Sequence, residues 1–462
     1  MFDASIYQDR REKLYSRMSS GLVVLLGHTD SPINYQQNVY PFRQDGTFSY
    51  FFGINRSGLG ALIDLDEKTA KLFGDELEAD DEIWHGESLS LNELAEKCGC
   101  SDVRSYSDLT DIISAARKVG RVLHIVPPYR ADTRLEMCRL INVTPAQLPS
   151  LVSTTLVEAI VSLRQVKAAV ELFEIEETIK VTELMHRAAM LSSRPGVMER
   201  DVVAEMRHVM ERYGLKEAYA PIFSRQGQIL HNHGHNNVLR QGDLVVNDYG
   251  ASSPLGYATD VTRTLPIGGR FKPEQRDLYQ LLYDVQRAAL TALRPGVPFL
   301  TVHRIAALHM VDGMRSLGFF KGDANEIVDS GAYALCFPHG LGHQLGLDVH
   351  DMESFGEDKV GYDEEYSRSS LFGLKYLRLA KPLVENMVVT IEPGIYFIPA
   401  LIRQWSKSRK HVDFINYSMF NRYVDFGGMR IEDDVLISSS GHRVLGAGIP
   451  KKIEEIESLL SC

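Results

Sequence analysis

Asp248, Asp260, His343, Glu392 and Glu432 are the residues of this chain best equipped for chemistry. Each lies in a segment that makes little sense without a cation: LVVNDYG, GYATDVTRT, PHGLGHQLG, VVTIEPGIYF and GGMRIEDDV. Aspartate and glutamate are depleted in strands and costly to bury unpaired. Here they punctuate runs of Val, Ile, Leu and Thr. Four carboxylates converging on one pocket repel each other unless a positive charge lies between them. Four carboxylates and one imidazole suit a pair of hard or borderline divalent ions.

The neighbours of these residues add detail. Asp248 ends a strand and Asp260 lies in the next strand-like piece, so a hairpin would bring both to one cavity. Thr259 and Thr262 flank Asp260, with hydroxyls placed to orient its carboxylate. His343 shares the run PHGLGHQLGLDVHD with His339 and His350, and the glycines between them fit close backbone approach. Glu392 precedes Pro393-Gly394, where a strand meets a turn. Arg430 and Glu432 are two residues apart and share one strand face, so the arginine is placed to hold the carboxylate. A rival zinc site exists on paper, because His231, His233 and His235 alternate in ILHNHGHNN. That loop offers no acidic partner. HExxH, CxxC and GxSxG signatures are all missing.

Elements must position these groups. The 462 residues exceed one ordinary core, and two domains are expected, 1–155 and 156–462. The first alternates strands (GLVVLLG, GALIDLD, VLHIVPP) with helices (LNELAEKCG, DLTDIISAARKVG), which makes it α/β. It has no phosphate-cradling glycine-rich loop. A long helix follows, roughly Gln165 to Ser192, and the remainder reads as α+β. Inside it, Arg187-Ala188-Ala189-Met190 and Arg194-Pro195-Gly196-Val197 recur one hundred residues later as Arg287-Ala288-Ala289-Leu290 and Arg294-Pro295-Gly296-Val297. This predicts a duplicated half-domain with a pseudo-twofold axis near the site. The polar stretch Glu353 to Tyr376 reads as a lid or a solvated loop. The N-terminal MFDASIYQDRREKLYSRM reads as an amphipathic helix and not as a signal peptide. A net charge of −11 argues against nucleic acid as a partner, and no apolar run reaches membrane-span length. Five cysteines, two of them at Cys98 and Cys100, fit reduced thiols in a cytoplasm.

The five acidic and histidine segments resemble the signature of the pita-bread metallopeptidases, which include methionine aminopeptidase, aminopeptidase P and prolidase. The family's ligand order of Asp, Asp, His, Glu, Glu falls on Asp248, Asp260, His343, Glu392 and Glu432. YPFRQDGTFSYFFGIN and EIWHGE resemble the amino-terminal domain shared by aminopeptidase P and prolidase. The resemblance implies an α/β N-terminal domain followed by an α+β pita-bread catalytic domain. It also implies hydrolysis of the bond before a proline at position two, a bond whose imino nitrogen lacks an N–H.

Two activities then stand as alternatives. A prolidase cleaves free Xaa-Pro dipeptides; an aminopeptidase P trims longer peptides. YFIPALIRQWSKSRKHVDFINYSMFNRYVDFGGMRIEDDV looks like the prolidase version. LKYLRLAKPL resembles the prolidase stretch whose arginine binds the dipeptide carboxylate, which places that role on Arg378. By the same resemblance, Asp248 ligates one of two divalent ions, Asp260 and Glu432 bridge both, and His343 and Glu392 complete the second. Manganese is the first choice, with cobalt or zinc fitting the same ligands. Glu392 is expected to shuttle the proton, His339 and His350 to hydrogen-bond the substrate carbonyl, His231 to hold the proline side, and Arg430 to orient Glu432. The related enzymes imply a homodimer or larger assembly, with Trp84 placed against a neighbour. A metal-free creatinase-like enzyme and a non-catalytic peptide-binding module are the rival classes, and both would be expected to lack some of the five ligands.

Overall fold

The two Arg-Pro-Gly-Val segments form the same turn twice. Gly196 and Gly296 both take positive φ, 93° and 83°, which glycine adopts without strain. The Gly196 N–H donates to Leu239 O at 2.9 Å and the Leu239 N–H returns to Val197 O at 2.9 Å. One hundred residues on, the Gly296 N–H donates to Leu383 O at 2.8 Å and the Leu383 N–H to Val297 O at 2.9 Å. Each turn joins a packed helix pair, Ala169–Ser192 with Glu199–Arg212 and Pro273–Ala292 with Phe299–Ser316. Each half also supplies a three-stranded antiparallel sheet. In the first, Leu244–Asp248 runs between Thr262–Pro266 and Ile222–Ser224; in the second, Asp433–Ser438 runs between Val388–Ile391 and Gly441–Val444. The duplication read from matched tetrapeptides is therefore present in the backbone hydrogen bonding.

A backbone bridge joins the two halves. Thr262 of the first half pairs antiparallel with Glu432 of the second, and the Glu432 N–H donates to Thr262 O at 3.0 Å. Strands LVVND and TRTLP are buried along their whole length, which explains why they read as apolar runs and not as alternating patterns. One core of Met, Val, Leu, Ile and Phe side chains from the helix pairs and sheets holds this half together.

The computed structural model describes residues 1–76 and 79–460. They divide into two units, Met1–Arg164 with Met352–Val360, and Gln165–Asp351 with Gly361–Cys462. The first division falls later than residue 155 because helix Thr154–Arg164 stays with the N-terminal unit: Arg17 Nε donates to Ser162 Oγ at 2.9 Å and Arg164 Nη1 to Thr47 Oγ1 at 3.1 Å. The long helix begins at Ala169, four residues after the expected Gln165. The Lys167 N–H is taken by Asn386 O at 2.9 Å, and the Glu171 carboxylate caps the new start by accepting from the Ala168 N–H.

The N-terminal unit is built on a five-stranded sheet in the order Asp102–Arg104, Thr69–Phe73, Gly60–Asp64, Leu22–Leu26, Leu123–Ile125. Its first helix, Ala4–Tyr15, departs from a simple apolar stripe. The inward face carries Arg10 and Arg11 beside Tyr7 and Leu14. Arg10 donates to Tyr50 O, and Arg11 to the carbonyls of Phe51, Cys98 and Gly99, all at 2.8 Å. Buried guanidinium groups are tolerated only when so satisfied.

The stretch expected to be a lid or a solvated loop is split. Met352–Val360 belongs to the first unit, and Met352, Phe355, Val360 and Tyr362 are all buried. Cys98, Cys100, Cys138 and Cys336 are free and buried, while Cys462 lies outside the described residues. Trp84 is 80% exposed. Among the described residues no helix is long and apolar enough to cross a membrane.

Candidate metal centre

Asp260, His343 and Glu432 converge. One ligating atom from each lies within 4.8 Å of the others, and the three residues are 2–6% exposed. Among the described residues no other such group of three is present. The histidines of the competing zinc reading form no such group: His233 and His235 each contact Pro221 O, at 3.4 and 3.1 Å, and the His231 ring stacks on His233 at 6.5 Å between centroids.

Local structure sets each donor. His343 Nδ1 lies 3.0 Å from the Gln344 carbonyl, which can only accept, so that nitrogen carries the proton. Nε2 lies 3.3 Å from Asp260 and 3.6 Å from Glu392. That tautomer is the one a metal ligand needs. Glu392 follows strand Val388–Ile391 at its end, as expected. Asp260 does not lie in a strand; it stands two residues before Thr262–Pro266, with its N–H donating to Asp434 Oδ2 at 3.0 Å. Asp248 ends its strand opposite Thr262.

Two expected supports act elsewhere. The Thr262 hydroxyl donates to Glu432 at 2.6 Å and not to Asp260, because the inter-sheet bridge places Glu432 beside it. Thr259 binds Thr182 and the Ala251 backbone. Arg430 pairs with Asp248, and its Nε lies 3.9 Å from Glu432. It therefore reaches across to the first half's ligand while sharing a strand face with the second's.

The electrostatics are those of an overcrowded carboxylate cluster. Burial, with the Tyr219 hydrogen bond opposing it, raises the Asp260 pKa to about 6. Burial and the Asp260 charge raise that of Glu432 to about 7. Burial, Glu432 and Asp260 together push Glu392 well above the ordinary carboxylate range. Such groups hold full charge together only around a cation. The donor set fits a divalent metal on that ground.

Tyr219 was invisible in the sequence. Its hydroxyl contacts Asp248 at 2.7 Å and Asp260 at 2.6 Å, tying together the two carboxylates of the first half. Tyr219 lies 29 residues before Asp248 in an ordinary apolar context, with no local signal. Asp433 and Asp434 were visible in EDDV but unread. Their faces alternate: Asp434 braces Asp260, and Asp433 pairs with Arg263 at 2.7 Å and with Lys451. Replacing Tyr219 by Phe is expected to weaken metal affinity about 10- to 100-fold, the usual cost of losing an outer partner of a ligand. Chelator competition on Tyr219→Phe reads it directly; unchanged affinity would remove Tyr219 from the site.

A cavity of about 530 Å³ opens beside the cluster. Glu392, His231, His339, His350, Arg378 and Arg430 all line it, together with apolar residues from Pro338 to Leu401. His350 packs edge-on to His343, 4.3 Å between ring centroids. His339 is less free than expected. Its Nδ1 binds the Gly340 carbonyl at 2.7 Å and its Nε2 meets the Tyr396 hydroxyl at 3.0 Å. Burial lowers its pKa to about 4, so the ring is neutral. Both of its nitrogens are therefore engaged, one of them by the Tyr396 hydroxyl.

Residues 174–439 match the family model of metallopeptidase family M24, and residues 7–124 match that of the aminopeptidase P N-terminal domain. A probable Xaa-Pro aminopeptidase of Fusarium vanettenii is 31% identical over 96% of this chain and 91% of its own length. The Xaa-Pro dipeptidase of Homo sapiens is 29% identical over 98% of this chain and 91% of its own. Among solved structures, zinc-substituted Escherichia coli aminopeptidase P in complex with product superposes with a TM-score of 0.80 at 27% identity, covering 100% of this chain and 98% of that one.

Proposed function

Because this chain belongs to metallopeptidase family M24, we propose that its substrates are peptides with proline at position two and that free Xaa-Pro dipeptides are preferred. The supporting observation is one cavity wall that carries both the cluster's Glu392 and, at its other residues, Arg378. The charge of Arg378 is felt at Glu392, His339 and His231. A guanidinium so placed binds a terminal carboxylate in fork geometry, which a continuing chain does not offer.

Asp248, Asp260, His343, Glu392 and Glu432 would hold two divalent ions, manganese first, with zinc or cobalt accepted by the same donors. Bound there, the ions supply Lewis acidity to the scissile carbonyl and lower the pKa of the attacking water. The chain's own groups do the rest. Glu392, whose carboxyl already favours the proton, accepts it from water and delivers it to the prolyl nitrogen. His350 faces the substrate carbonyl, and His231 closes the proline side of the cavity. Arg430 fixes Asp248, Thr262 fixes Glu432, and Tyr219 spans the two aspartates.

The second reading is an aminopeptidase acting on longer peptides, favoured by the 530 Å³ cavity. Arg378→Ala separates the two. The dipeptidase reading expects kcat/KM for an Xaa-Pro dipeptide to fall about 10- to 100-fold, the worth of a charged hydrogen bond, with a much smaller effect on an Xaa-Pro-Xaa tripeptide. Equal losses would favour the aminopeptidase.

A further inference from the structure

Two of the segments that wall the cavity are rich in cations, in a protein that is acidic as a whole. The chain carries 61 acidic residues against 50 lysines and arginines. Yet residues 371–381, LFGLKYLRLAK, contain Lys375, Arg378 and Lys381 and no carboxylate. Residues 399–412, PALIRQWSKSRKHV, contain Arg403, Lys407, Arg409 and Lys410 and again none. Both segments wall the cavity, the first through Phe372, Tyr376 and Arg378, the second through Ala400, Leu401 and Gln404.

Two of these cations are held at aromatic rings, of which Phe372 and Tyr376 line the cavity. Lys375 Nζ lies 4.8 Å from the Tyr376 ring centroid and 5.7 Å from that of Phe372. Lys410 Nζ lies 4.1 Å from the Trp405 ring and 5.8 Å from Phe372. Their backbones are fixed as well. Arg368 Nη1 donates to Lys375 O at 3.0 Å, and the Lys410 N–H donates to Trp405 O at 3.0 Å. Gly373, at φ 88°, turns the chain where a Cβ would sit 2.6 Å from Ala334 Cβ. Two ammonium groups thus converge on one ring, Phe372, from segments more than thirty residues apart.

We propose that Lys375 and Lys410 form a cationic collar that selects substrates by a free carboxylate at the proline end. The proposal rests on the Xaa-Pro reading above and adds two residues to it. Arg378 grips the carboxylate inside the cavity; the collar draws it in. Same-sign charge at a low-dielectric mouth raises the local concentration of a counter-charged ligand and its on-rate, and salt weakens both.

The test compares a free Ala-Pro acid with its C-terminal amide on the metal-loaded full chain. The wild type is expected to favour the acid, with the acid-to-amide ratio of kcat/KM falling several-fold between low and physiological salt. In the double variant Lys375→Met, Lys410→Met the ratio is expected to drop about three- to tenfold and lose its salt dependence. Lys375→Arg with Lys410→Arg should restore it. A double variant whose ratio and salt dependence match the wild type overturns the collar. Wild-type protein that cleaves neither compound overturns the dipeptide preference instead. Calorimetric binding of acid and amide then still decides the collar, since it needs no turnover.

Discussion

His343→Ala is expected to lower turnover at least about a thousandfold while leaving the folded chain largely intact. His343 supplies the one neutral donor among four carboxylates, with its tautomer fixed by the Gln344 carbonyl. Without it, four acids remain; burial already raises the pKa values of Asp260, Glu432 and Glu392, and neighbouring carboxylates raise the last two further. Metal affinity should fall with activity, and elemental analysis of gently purified variant should find less metal per chain. Glu432→Ala makes the sharper comparison. It too should abolish turnover, but it removes a charge from a crowded site. The metal-free variant should therefore unfold at a temperature no lower than the metal-free wild type, apart from the loss of the Thr262 hydrogen bond. A variant that keeps wild-type turnover would mean the cluster is not the centre of the chemistry.

The gap in melting temperature between metal-loaded and chelated protein should widen as pH rises from about 5 to about 8. Asp260 and Glu432 hold their protons to about pH 6 and 7 in the metal-free fold, above the ordinary carboxyl range near 4. Between those values the native metal-free chain binds more protons than the unfolded one, so these groups lower its stability as pH increases. The loaded state needs the same carboxylates ionised, so metal affinity moves the other way. Buried His186 and His303, pulled down to about 3 by burial, titrate alike in both forms and cancel in the difference. Asp433 also cancels. Its burial would raise its pKa, but Arg263 and Lys451 outweigh that and hold it at about 2, below the window. A gap of order 10 °C at pH 8 is reasonable for ligands far above their Kd. A gap that is constant with pH, or binding that releases no protons in calorimetry across two buffers, would contradict the coupling.

The five candidate metal residues were legible because their types are ones that folding alone would not choose at those places. A carboxylate inside LVVND or VVTIEP has no reason to be there unless something pairs with it. The duplication was legible because each half needs the same turn, and a Pro-Gly turn with positive φ leaves a recognisable tetrapeptide. The supports were not legible. Tyr219 sits in an ordinary apolar stretch, and only the hairpin of Asp248 and Asp260 brings it to them. Arg430 shares a strand face with Glu432, yet its closest partner is Asp248, 182 residues away, because the two sheets meet at Thr262 and Glu432. His339 shows the same gap. Its spacing from His343 placed it in the site, but its two nitrogens were claimed by Gly340 and Tyr396, which spacing alone does not reveal.

The bridge between Thr262 and Glu432 has a consequence for how the chain is made. Each half of the duplication contributes ligands, and the two halves are joined by contacts about 170 residues apart in sequence. Such distant pairings form late, after local helices and hairpins. A ribosome delivers Asp248 and Asp260 first, His343 and Glu392 next, and Glu432 last of the five. Until then the nascent chain has an incomplete set of donors held by no inter-sheet bridge. A site built from both halves can therefore be complete only once Glu432 has been made and the bridge to Thr262 has formed.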